Sequence, residues 1–229
     1  MADPHAPDLS GLVAVVTGAA GRLGRVVAAH LAEAGADVVG IDRQPHDVGS
    51  LALVADVVNE ADVIRAFDRV VDAKGAPDVV VHTVGMWAGA PFAETALADW
   101  RTVLDVNLTS TFLVFRGAVR RMLRAEAGSG GRLVALASGQ GADKGVAEQA
   151  AYSAAKAGVV RLVEAVAAEH RDAEITAAAV APSMILFGDE GPEARGVEAD
   201  EVARLCVTLC GPAGTVHNGS VLRSYGSMR

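Results

Sequence analysis

Seven short apolar runs recur along this chain, and segments of helical pattern separate most of them. Uninterrupted runs of roughly four to eight Val-, Leu-, Ile- and Ala-rich residues are typical of strands buried on both faces of a parallel sheet. Regular alternation of strand and helix favours right-handed βαβ units. We therefore predict an α/β fold, with a Rossmann-like doubly wound parallel sheet of about seven strands in a three-layer α/β/α arrangement. The runs are 12–17, 37–41, 51–55, 78–83, 132–137, 175–181 and 220–224.

The helical segments between the runs have recognisable ends. Gly35 is expected to end the first helix, and Asn59 is expected to cap a helix that closes at Gly75. Two longer helices are predicted over about 96–125 and 151–171, and a last one over about 199–210. These helices would flank the sheet on both faces.

Length and charge limit the organisation and the partners of the chain. Its 229 residues fit one domain, which we place at 11–229 behind a flexible tail at 1–10 that has no signal-peptide pattern. No window approaches the roughly 20 consecutive apolar residues of a membrane-spanning helix. The formal net charge of −8 argues against nucleic-acid and membrane partners, because both need a basic patch.

Cysteines and histidines give no pattern of a metal site. Cys206 and Cys210 lie on one predicted helix and are interpreted as small buried hydrophobic side chains. No two of the six histidines stand at ligand spacing with a nearby Cys, Asp or Glu, so no metal is expected. Together with the absence of a targeting pattern, this predicts a reduced, cytoplasmic protein.

A glycine-rich turn, TGAAGRLG at 17–24, follows the first strand and opens the first helix. Gly18, Gly21 and Gly24 would let the backbone turn sharply and approach a pyrophosphate, which would then meet the free N–H groups and positive dipole of the helix N-terminus. Arg22 and Leu23 belong to the same turn. The position after a strand and before a helix predicts a dinucleotide site.

An acid stands where a ribose clamp is expected. Asp42 ends the second strand, where a carboxylate accepts hydrogen bonds from a ribose 2′-hydroxyl and repels a 2′-phosphate. This favours NAD over NADP, although Arg43 or Arg22 could receive a phosphate. Asp56, after the third strand, is a candidate contact for the adenine amino group or an ordinary turn residue before a helix.

In order and spacing, the motifs resemble those of the short-chain dehydrogenase/reductase family over nearly the whole chain. TGAAGRLG resembles its cofactor loop, and ADV at 55–57 resembles its adenine contact, which adds Val57. HTVG at 82–85 stands where the family has Asn-Asn-Ala-Gly, which adds Gly85. VAPS at 180–183 resembles the Pro-Gly turn after strand six, which adds Pro182 and Ser183 as cofactor contacts.

The resemblance also implies four catalytic residues. LDVNLTSTFLV at 104–114 resembles the helix that carries a catalytic asparagine, here Asn107, and GGRLVALASGQG at 130–141 resembles the strand that ends in a catalytic serine, here Ser138. YSAAKAG at 152–158 matches the Tyr-x-x-x-Lys signature, with Tyr152 and Lys156. The implied activity is hydride transfer between NAD(P) and a carbonyl or alcohol.

The chemistry explains why a phenol and an ammonium should share a helix face. Carbonyl reduction leaves charge on oxygen, which an acid must protonate, and a phenol with a pKa near 10 is weak at neutral pH. Residues four apart lie on one face of a helix, so Lys156 would lower the pKa of Tyr152 and also bind the nicotinamide ribose. Ser138 would donate to the substrate oxygen, and Asn107, by resemblance, would hold a water that relays protons from Lys156.

Several positions depart from the family pattern. The middle glycine of the cofactor motif is one position early, at Gly21, and Arg22 takes its usual place. Ser183 replaces the glycine of the Pro-Gly turn, and Phe187 stands where many members have a threonine. Two alternatives therefore stay open: a catalytically silent dinucleotide-binding sensor, and an NAD-dependent lyase or isomerase.

Substrate contacts and assembly are less constrained. Trp87, after the fourth strand, is either a pocket residue or a subunit contact, and Gln140 and Gln149 are candidate polar contacts. In the resembled family, the two long helices pair across a two-fold axis, so a homodimer or homotetramer is expected. Apolar residues at spacings of three and four form the candidate interface stripe: Leu97, Trp100, Leu104, Leu108, Phe112, Phe115, Val119 and Met122 on the first helix, with Val159, Leu162, Val163 and Val166 on the second.

Overall fold

A seven-stranded parallel sheet organises the computed structural model, which describes residues 7–125, 130–191 and 193–226. Its strands are β1 (Val13–Thr17), β2 (Asp37–Asp42), β3 (Leu51–Val54), β4 (Val79–His82), β5 (Gly131–Leu136), β6 (Ile175–Pro182) and, after a separate pair β7 (Ile185–Leu186) and β8 (Val197–Glu198), β9 (Val221–Ser224). The spatial order is β3-β2-β1-β4-β5-β6-β9. The order reverses between β1 and β4, which places a binding crevice beyond their carboxyl ends. The predicted fold class is confirmed.

Helices cover both faces of this sheet. They are α1 (Arg22–Glu33), α2 (Glu60–Lys74), α3 (Leu97–Leu104), α4 (Ser110–Met122), α5 (Gly139–Ala142), α6 (Ala150–Glu169), α7 (Ala199–Cys210) and α8 (Ala213–Val216). One hydrophobic core lies between the sheet and α2, α4 and α6, and includes Phe67 and Phe115. A second lies under α1 and α7, where Cys206 and Cys210 are buried as predicted.

The predicted ends of α1 and α2 are confirmed. The Asn59 side chain accepts hydrogen bonds from the backbone N–H groups of Ala61 and Asp62, which otherwise lack partners at a helix start. Gly35 and Gly75 have φ values of 95° and 92°, a left-handed backbone that favours glycine. Both helices therefore end where the local sequence requires.

The long helix predicted over about 96–125 is divided. A π-helical turn, Asp105–Thr109, separates α3 from α4. The predicted apolar stripe is also not one surface: Phe115, Val119 and Met122 are buried in the core, whereas Leu97 is 61% and Phe112 42% exposed. The buried residues serve the fold of this chain and are unavailable to a partner subunit.

The packed domain begins earlier than residue 11. Leu9 is 1% exposed, and its N–H donates to the carbonyl of Ala34. The apolar side chain anchors the chain below α1, so residues 7–10 do not belong to the tail predicted at 1–10. Residues 1–6 of that tail lie outside the described residues. Within the described residues, no helix has the length and apolar character to cross a membrane.

Candidate active site

The glycine-rich turn has the geometry that a phosphate-binding loop needs. Gly18 has a φ of 77°, and a Cβ on Gly24 would stand 2.0 Å from the Gly18 carbonyl oxygen, so neither position accommodates a side chain without rearrangement. Gly21 precedes α1 with extended backbone and no side-chain cap. The N–H groups at the start of α1 therefore have no capping side chain, which suits an anion such as a pyrophosphate.

A cleft of about 630 Å³ opens beside this turn, at the carboxyl ends of β1 and β4. It brings together half of the residues predicted to bind the cofactor: Gly18, Gly21, Asp42, Arg43, Asp56, Val57 and Gly85. Leu23 packs against the core under α1, and Arg22, Pro182 and Ser183 are not among the lining residues. The size and the glycine-lined floor fit the adenosine and phosphate portion of a dinucleotide.

Two acids in the cleft have different surroundings. Asp42 accepts hydrogen bonds from the N–H groups of Ala20 (3.0 Å) and Gln44 (2.9 Å), so its carboxylate is held at the end of β2. Asp56 accepts from the N–H of Val58 at 3.1 Å, which is the geometry of a turn that leads into α2. Asp42 is thus fixed beside the glycine-rich turn, while Asp56 also has the structural role that the sequence left open.

Arg22 is directed away from the adenosine end of the cleft. Its guanidinium lies 4.0 Å from the centroid of the Phe187 ring and 2.6 Å from a carboxylate oxygen of Asp189. In this structure the Arg22 guanidinium is engaged by Phe187 and Asp189, and its assignment as a candidate 2′-phosphate ligand stays a prediction. The side chain joins the glycine-rich turn to the segment that follows β7.

Tyr152 and Lys156 occupy successive turns of α6. The Lys156 side chain is buried, its Nζ donates to the carbonyl of Leu136 at 2.8 Å, and it lies 5.8 Å from the centroid of the Tyr152 ring. Burial lowers the pKa of Lys156 to about 8. Burial also raises the pKa of Tyr152, and a hydrogen bond with Ser138 opposes that rise. The pKa of Tyr152 is therefore raised by burial rather than lowered by Lys156, whose ammonium group donates to a backbone carbonyl.

Ser138 lies at the end of β5 and caps α5, where its Oγ accepts from the N–H of Gln140 at 3.3 Å. Strand β5 and helix α6 thus bring Ser138 and Tyr152 together although they are 14 positions apart in the sequence, because the turn after Ser138 packs against Ser153 and Lys156 of α6. Ser138, Tyr152 and Lys156 form one cluster, as the motif predicts.

Asn107 is completely buried in the π-helical turn. Its Nδ2 donates to the carbonyls of Met86 and Val103 at 2.9 Å, and its Oδ1 accepts from the N–H of Met86 at 3.2 Å. A Cβ on Gly85 would stand 3.0 Å from this Oδ1 and 3.2 Å from Lys156 Nζ. Gly85 therefore leaves room where Asn107 and Lys156 approach each other, and π-helical turns of this kind are frequent at functional sites.

Comparison with known proteins agrees with this arrangement. A family model described as short chain dehydrogenase matches residues 12–190. The chain belongs to the short-chain dehydrogenase family. It is 32% identical over 241 residues to a D-threitol dehydrogenase of Mycolicibacterium smegmatis, covering 93% of this chain and 91% of that one.

Two further matches extend the comparison of this short-chain dehydrogenase. It is 28% identical to a 3-oxoacyl-acyl-carrier-protein reductase of Aquifex aeolicus, covering 96% of this chain and 98% of that one. The crystal structure of a short chain dehydrogenase from Mycobacterium smegmatis superposes with a TM-score of 0.85 at 28% identity, covering 100% and 99% of the two chains. The chain is an oxidoreductase of carbonyl and alcohol groups that uses a nicotinamide dinucleotide.

One buried residue of this short-chain dehydrogenase escaped sequence reasoning. His82 is 1% exposed; its Nδ1 lies 2.7 Å from Thr17 Oγ1 and its Nε2 lies 3.0 Å from Ser110 Oγ. Because Ser110 donates to the carbonyl of Val106, it accepts from His82, which assigns the proton to Nε2. Burial, and secondarily the charge of Lys156, lowers the pKa of His82 to about 3, so the ring is neutral.

The predicted substrate contacts are not gathered in the cleft. Trp87 is 63% exposed, and its ring lies against Gly89. Gln140 follows Ser138 in α5, where its backbone is non-helical. Gln149 precedes α6, and its Oε1 is buried without a hydrogen-bond partner among the described residues. None of the three lines the cofactor cleft.

The predicted cofactor turn after β6 is held by the last strand. Pro182 ends β6 and pairs with Ser224 of β9. The N–H of Ser183 donates to the carbonyl of Ser224 at 3.0 Å, and its hydroxyl donates to the carbonyl of Tyr225 at 3.1 Å. Among the described residues, no cluster of three or more His, Cys, Asp or Glu side chains is arranged to hold a metal ion.

Proposed function

We propose that this short-chain dehydrogenase interconverts a carbonyl and an alcohol with Tyr152 as the general acid and base. The observation that carries the proposal is the packing of the turn after Ser138 against the part of α6 that carries Tyr152 and the buried ammonium group of Lys156. A serine hydroxyl and a phenol grouped in this way can both contact one substrate oxygen. In the direction of reduction, Ser138 donates to that oxygen while Tyr152 delivers the proton.

Lys156 and Asn107 support this proton transfer. A nicotinamide dinucleotide supplies or accepts the hydride when it is bound. Lys156 would bind and orient the nicotinamide ribose. In that contact its ammonium group would lie nearer the phenol, and its positive charge would lower the pKa of Tyr152 from the value in the protein without cofactor. Asn107 holds the Met86 backbone beside Lys156, and its proposed part is to support a water that relays protons.

The cofactor proposed is NAD rather than NADP. Asp42 is anchored at the ribose end of the cleft by two backbone N–H groups, and Arg22 is engaged by Phe187 and Asp189. A fixed carboxylate accepts from a 2′-hydroxyl and repels a 2′-phosphate. Gly18, Gly21, Leu23 and Gly24 would hold the pyrophosphate, Asp56 and Val57 the adenine, and Gly85, Pro182 and Ser183 the nicotinamide side; Arg43 is the remaining cation of the cleft.

Trp87, Gln140 and Gln149 remain the proposed substrate contacts. The buried Oε1 of Gln149, three residues before Tyr152, favours a substrate that brings a hydrogen-bond donor to it. The proposed partners are copies of the same chain, and the proposed location is the cytoplasm, which is consistent with two free, buried cysteines.

The test is turnover of a panel of ketones and alcohols by the native protein and by Tyr152→Phe. The variant is expected to lose turnover by about a hundredfold or more, because only the phenolic proton is removed. Its dissociation constant for NADH, measured by fluorescence titration, is expected to stay within about twofold of the native value.

Two outcomes would contradict the proposal. Full turnover by Tyr152→Phe removes Tyr152 from the chemistry. NADH binding without turnover of any member of the panel supports the catalytically silent sensor instead. Asp200→Asn is the matched control, because Asp200 pairs with His30 between α7 and α1 and has no contact with the cluster.

A further inference from the structure

The chain that follows β9 runs between three parts of the active site. Tyr225 lies against the turn that carries Ser138, and its carbonyl accepts from Ser183. Gly226 has a φ of 68°, and a Cβ there would stand 1.9 Å from the carbonyl of Gly196, next to β8. Two consecutive residues therefore contact the serine turn, the turn after β6 and the β7–β8 pair.

The contact with the serine turn is made by the ring of Tyr225. A Cβ on Gly139 would stand 3.0 Å from Tyr225 Cε1 and 3.2 Å from Tyr225 Cζ. The aromatic ring thus lies directly on the backbone of Gly139, which is the residue after Ser138. A change in the position of this ring would be transmitted to Ser138 through one peptide unit.

A hydrogen-bonded cluster fixes the same turn from its other end. The Tyr225 hydroxyl donates to Asp143 Oδ2, and Arg223 Nε donates to Asp143 Oδ1 at 2.5 Å. The backbone N–H of Asp143 in turn donates to the carbonyl of Gly139 at 3.2 Å. Tyr225 therefore holds both ends of the 139–143 segment, by ring contact at one end and by its hydroxyl at the other.

Helix α6 blocks the opposite side of this segment. Gly141 has a φ of 112°, and a Cβ there would stand 2.7 Å from the carbonyl of Ser153 and 2.8 Å from Lys156 Cβ. The segment after Ser138 is thus confined between Tyr225 and the helix that carries Tyr152 and Lys156. A confined turn holds Ser138 beside the part of α6 that carries Tyr152 and Lys156.

We propose that Tyr225 is a positioning residue for the oxidoreduction, acting through Gly139 and Asp143 to hold Ser138 against Tyr152. The proposal rests on the proposed function of Ser138 and Tyr152. Among the described residues, no hydrogen bond joins Tyr225 to Tyr152 or Lys156, so its contribution is to hold the turn in place. Arg223 shares the task, because it orients the carboxylate that receives the Tyr225 hydroxyl.

The experiment compares Tyr225→Phe, Asp143→Ala and the double variant. Tyr225→Phe keeps the ring on Gly139 and removes only the hydroxyl. Each single variant is expected to lower kcat by about tenfold, because small displacements at a reacting centre have large effects on rate. The double variant is expected to lose little more than either single one, because both changes break the same hydrogen bond.

A second readout separates positioning of Ser138 from general loss of structure. The groups that face the Tyr152 phenol are Ser138 and Lys156, and only Ser138 is released by these variants. Without its hydrogen bond, the pKa of Tyr152 rises, so the pH midpoint of alcohol oxidation is expected to move upward. NADH affinity should stay within about twofold of the native value, since the glycine-rich turn is untouched.

Tyr152→Phe and Asp200→Asn are measured in parallel. If Tyr225→Phe keeps the native kcat and pH midpoint while Tyr152→Phe is inactive, the role of Tyr225 is overturned and the proposed function stays intact. Additive losses in the double variant would also overturn it. If Tyr152→Phe stays active, it is the proposed function that fails. If circular dichroism shows that Tyr225→Phe folds poorly, the test rests on Asp143→Ala. Asp143 accepts the same hydrogen bond and is exposed, so its replacement should leave the fold intact.

Discussion

Asp42 combines an anchored carboxylate with a position at the ribose end of the cleft. Asp42→Ala removes the charge that repels a 2′-phosphate and the acceptor that binds a 2′-hydroxyl. We expect NADH affinity to fall and NADPH affinity to rise, so that their ratio changes by about tenfold or more. Fluorescence titration with both cofactors measures this ratio.

Asp42→Asn is the matched variant for this experiment. The amide oxygen can still accept from the N–H of Ala20, but the charge is gone. If repulsion decides the choice of cofactor, both variants should improve NADPH binding. Tighter binding of NADPH than NADH by the native protein would contradict the assignment of Asp42 as the discriminating residue.

Lys156 gives a prediction about stability that does not depend on turnover. Its pKa falls from 10.5 to about 8 on folding, because burial disfavours the ammonium form. Between these values the unfolded chain binds a proton that the folded chain does not, so the free energy of unfolding rises with pH. The other titrating groups are common to the native protein and Lys156→Met, so they cancel in the difference between the two unfolding free energies.

The difference in unfolding free energy between native protein and Lys156→Met should shift in favour of the native protein as pH rises above 8. The shift is expected to approach about 3 kcal/mol toward pH 10.5, from the size of the pKa change. Urea denaturation at pH 7 and pH 9.5 measures it. A difference that stays constant over this range would mean that Lys156 is not buried as an ammonium group.

The placement of residues that belong to a local motif could be predicted from the sequence, whereas their roles stay predictions. Asp42 ends a strand beside the glycine-rich turn, and Tyr152 and Lys156 lie on one helix, as position and spacing indicate. His82 and Tyr225 could not be found this way, because their contacts join distant parts of the chain. Tyr225 and Asp143 are 82 positions apart. The direction of the pKa shift of Tyr152 could not be predicted from spacing either, because it is set first by burial of the phenol in the folded chain.

At the scale of elements, the sheet was more predictable than the helices. The five inner strands of the main sheet are apolar runs that are largely buried by helices on both faces, and such a run has clear limits. The π-helical turn within the long helix has no equally clear local pattern, because it is stabilised by Asn107 bonding to Met86 outside the helix. The β7–β8 pair joins Ile185 to Val197, a contact that no spacing rule indicates.

The contact between α1 and the segment after β7 leads to a prediction on cofactor release. Arg22 reaches from the first turn of α1 to Phe187 and Asp189. These side chains are largely exposed, so Arg22→Met should change the free energy of unfolding by no more than about 1 kcal/mol. We expect NADH to dissociate several-fold faster from the variant, because the segment is no longer held at the glycine-rich turn.

Stopped-flow displacement of NADH measures this dissociation. Arg161→Met is the control, since it removes an exposed cation that pairs with Glu164 on α6, away from the glycine-rich turn. Equal rates for the two variants would contradict a specific role of Arg22. Asp189→Asn separates two explanations: faster dissociation supports the contact with the segment, whereas tighter binding indicates that Arg22 is released to bind the pyrophosphate directly.

At the scale of the whole molecule, two exposed apolar side chains lie on the helices predicted to form the subunit contact. Leu97 on α3 is 61% exposed and Phe112 on α4 is 42% exposed, while the rest of the predicted stripe is partly or fully buried within the chain. Exposed apolar side chains on neighbouring helices favour an isologous contact with a second copy. We therefore expect a homodimer, or a homotetramer if β9 adds a second interface at the edge of the sheet.

Light scattering at micromolar concentration tests this assembly. The native protein should give at least twice its chain mass of 23.3 kDa, and Phe112→Asp should shift it toward the single-chain mass, because a carboxylate at the contact would be desolvated without a partner. Val54→Asp is the control, since Val54 is 64% exposed on the far strand β3. A single-chain mass for the native protein would contradict the prediction. If Phe112→Asp has the same oligomeric mass as the native protein, the subunit contact lies on another face.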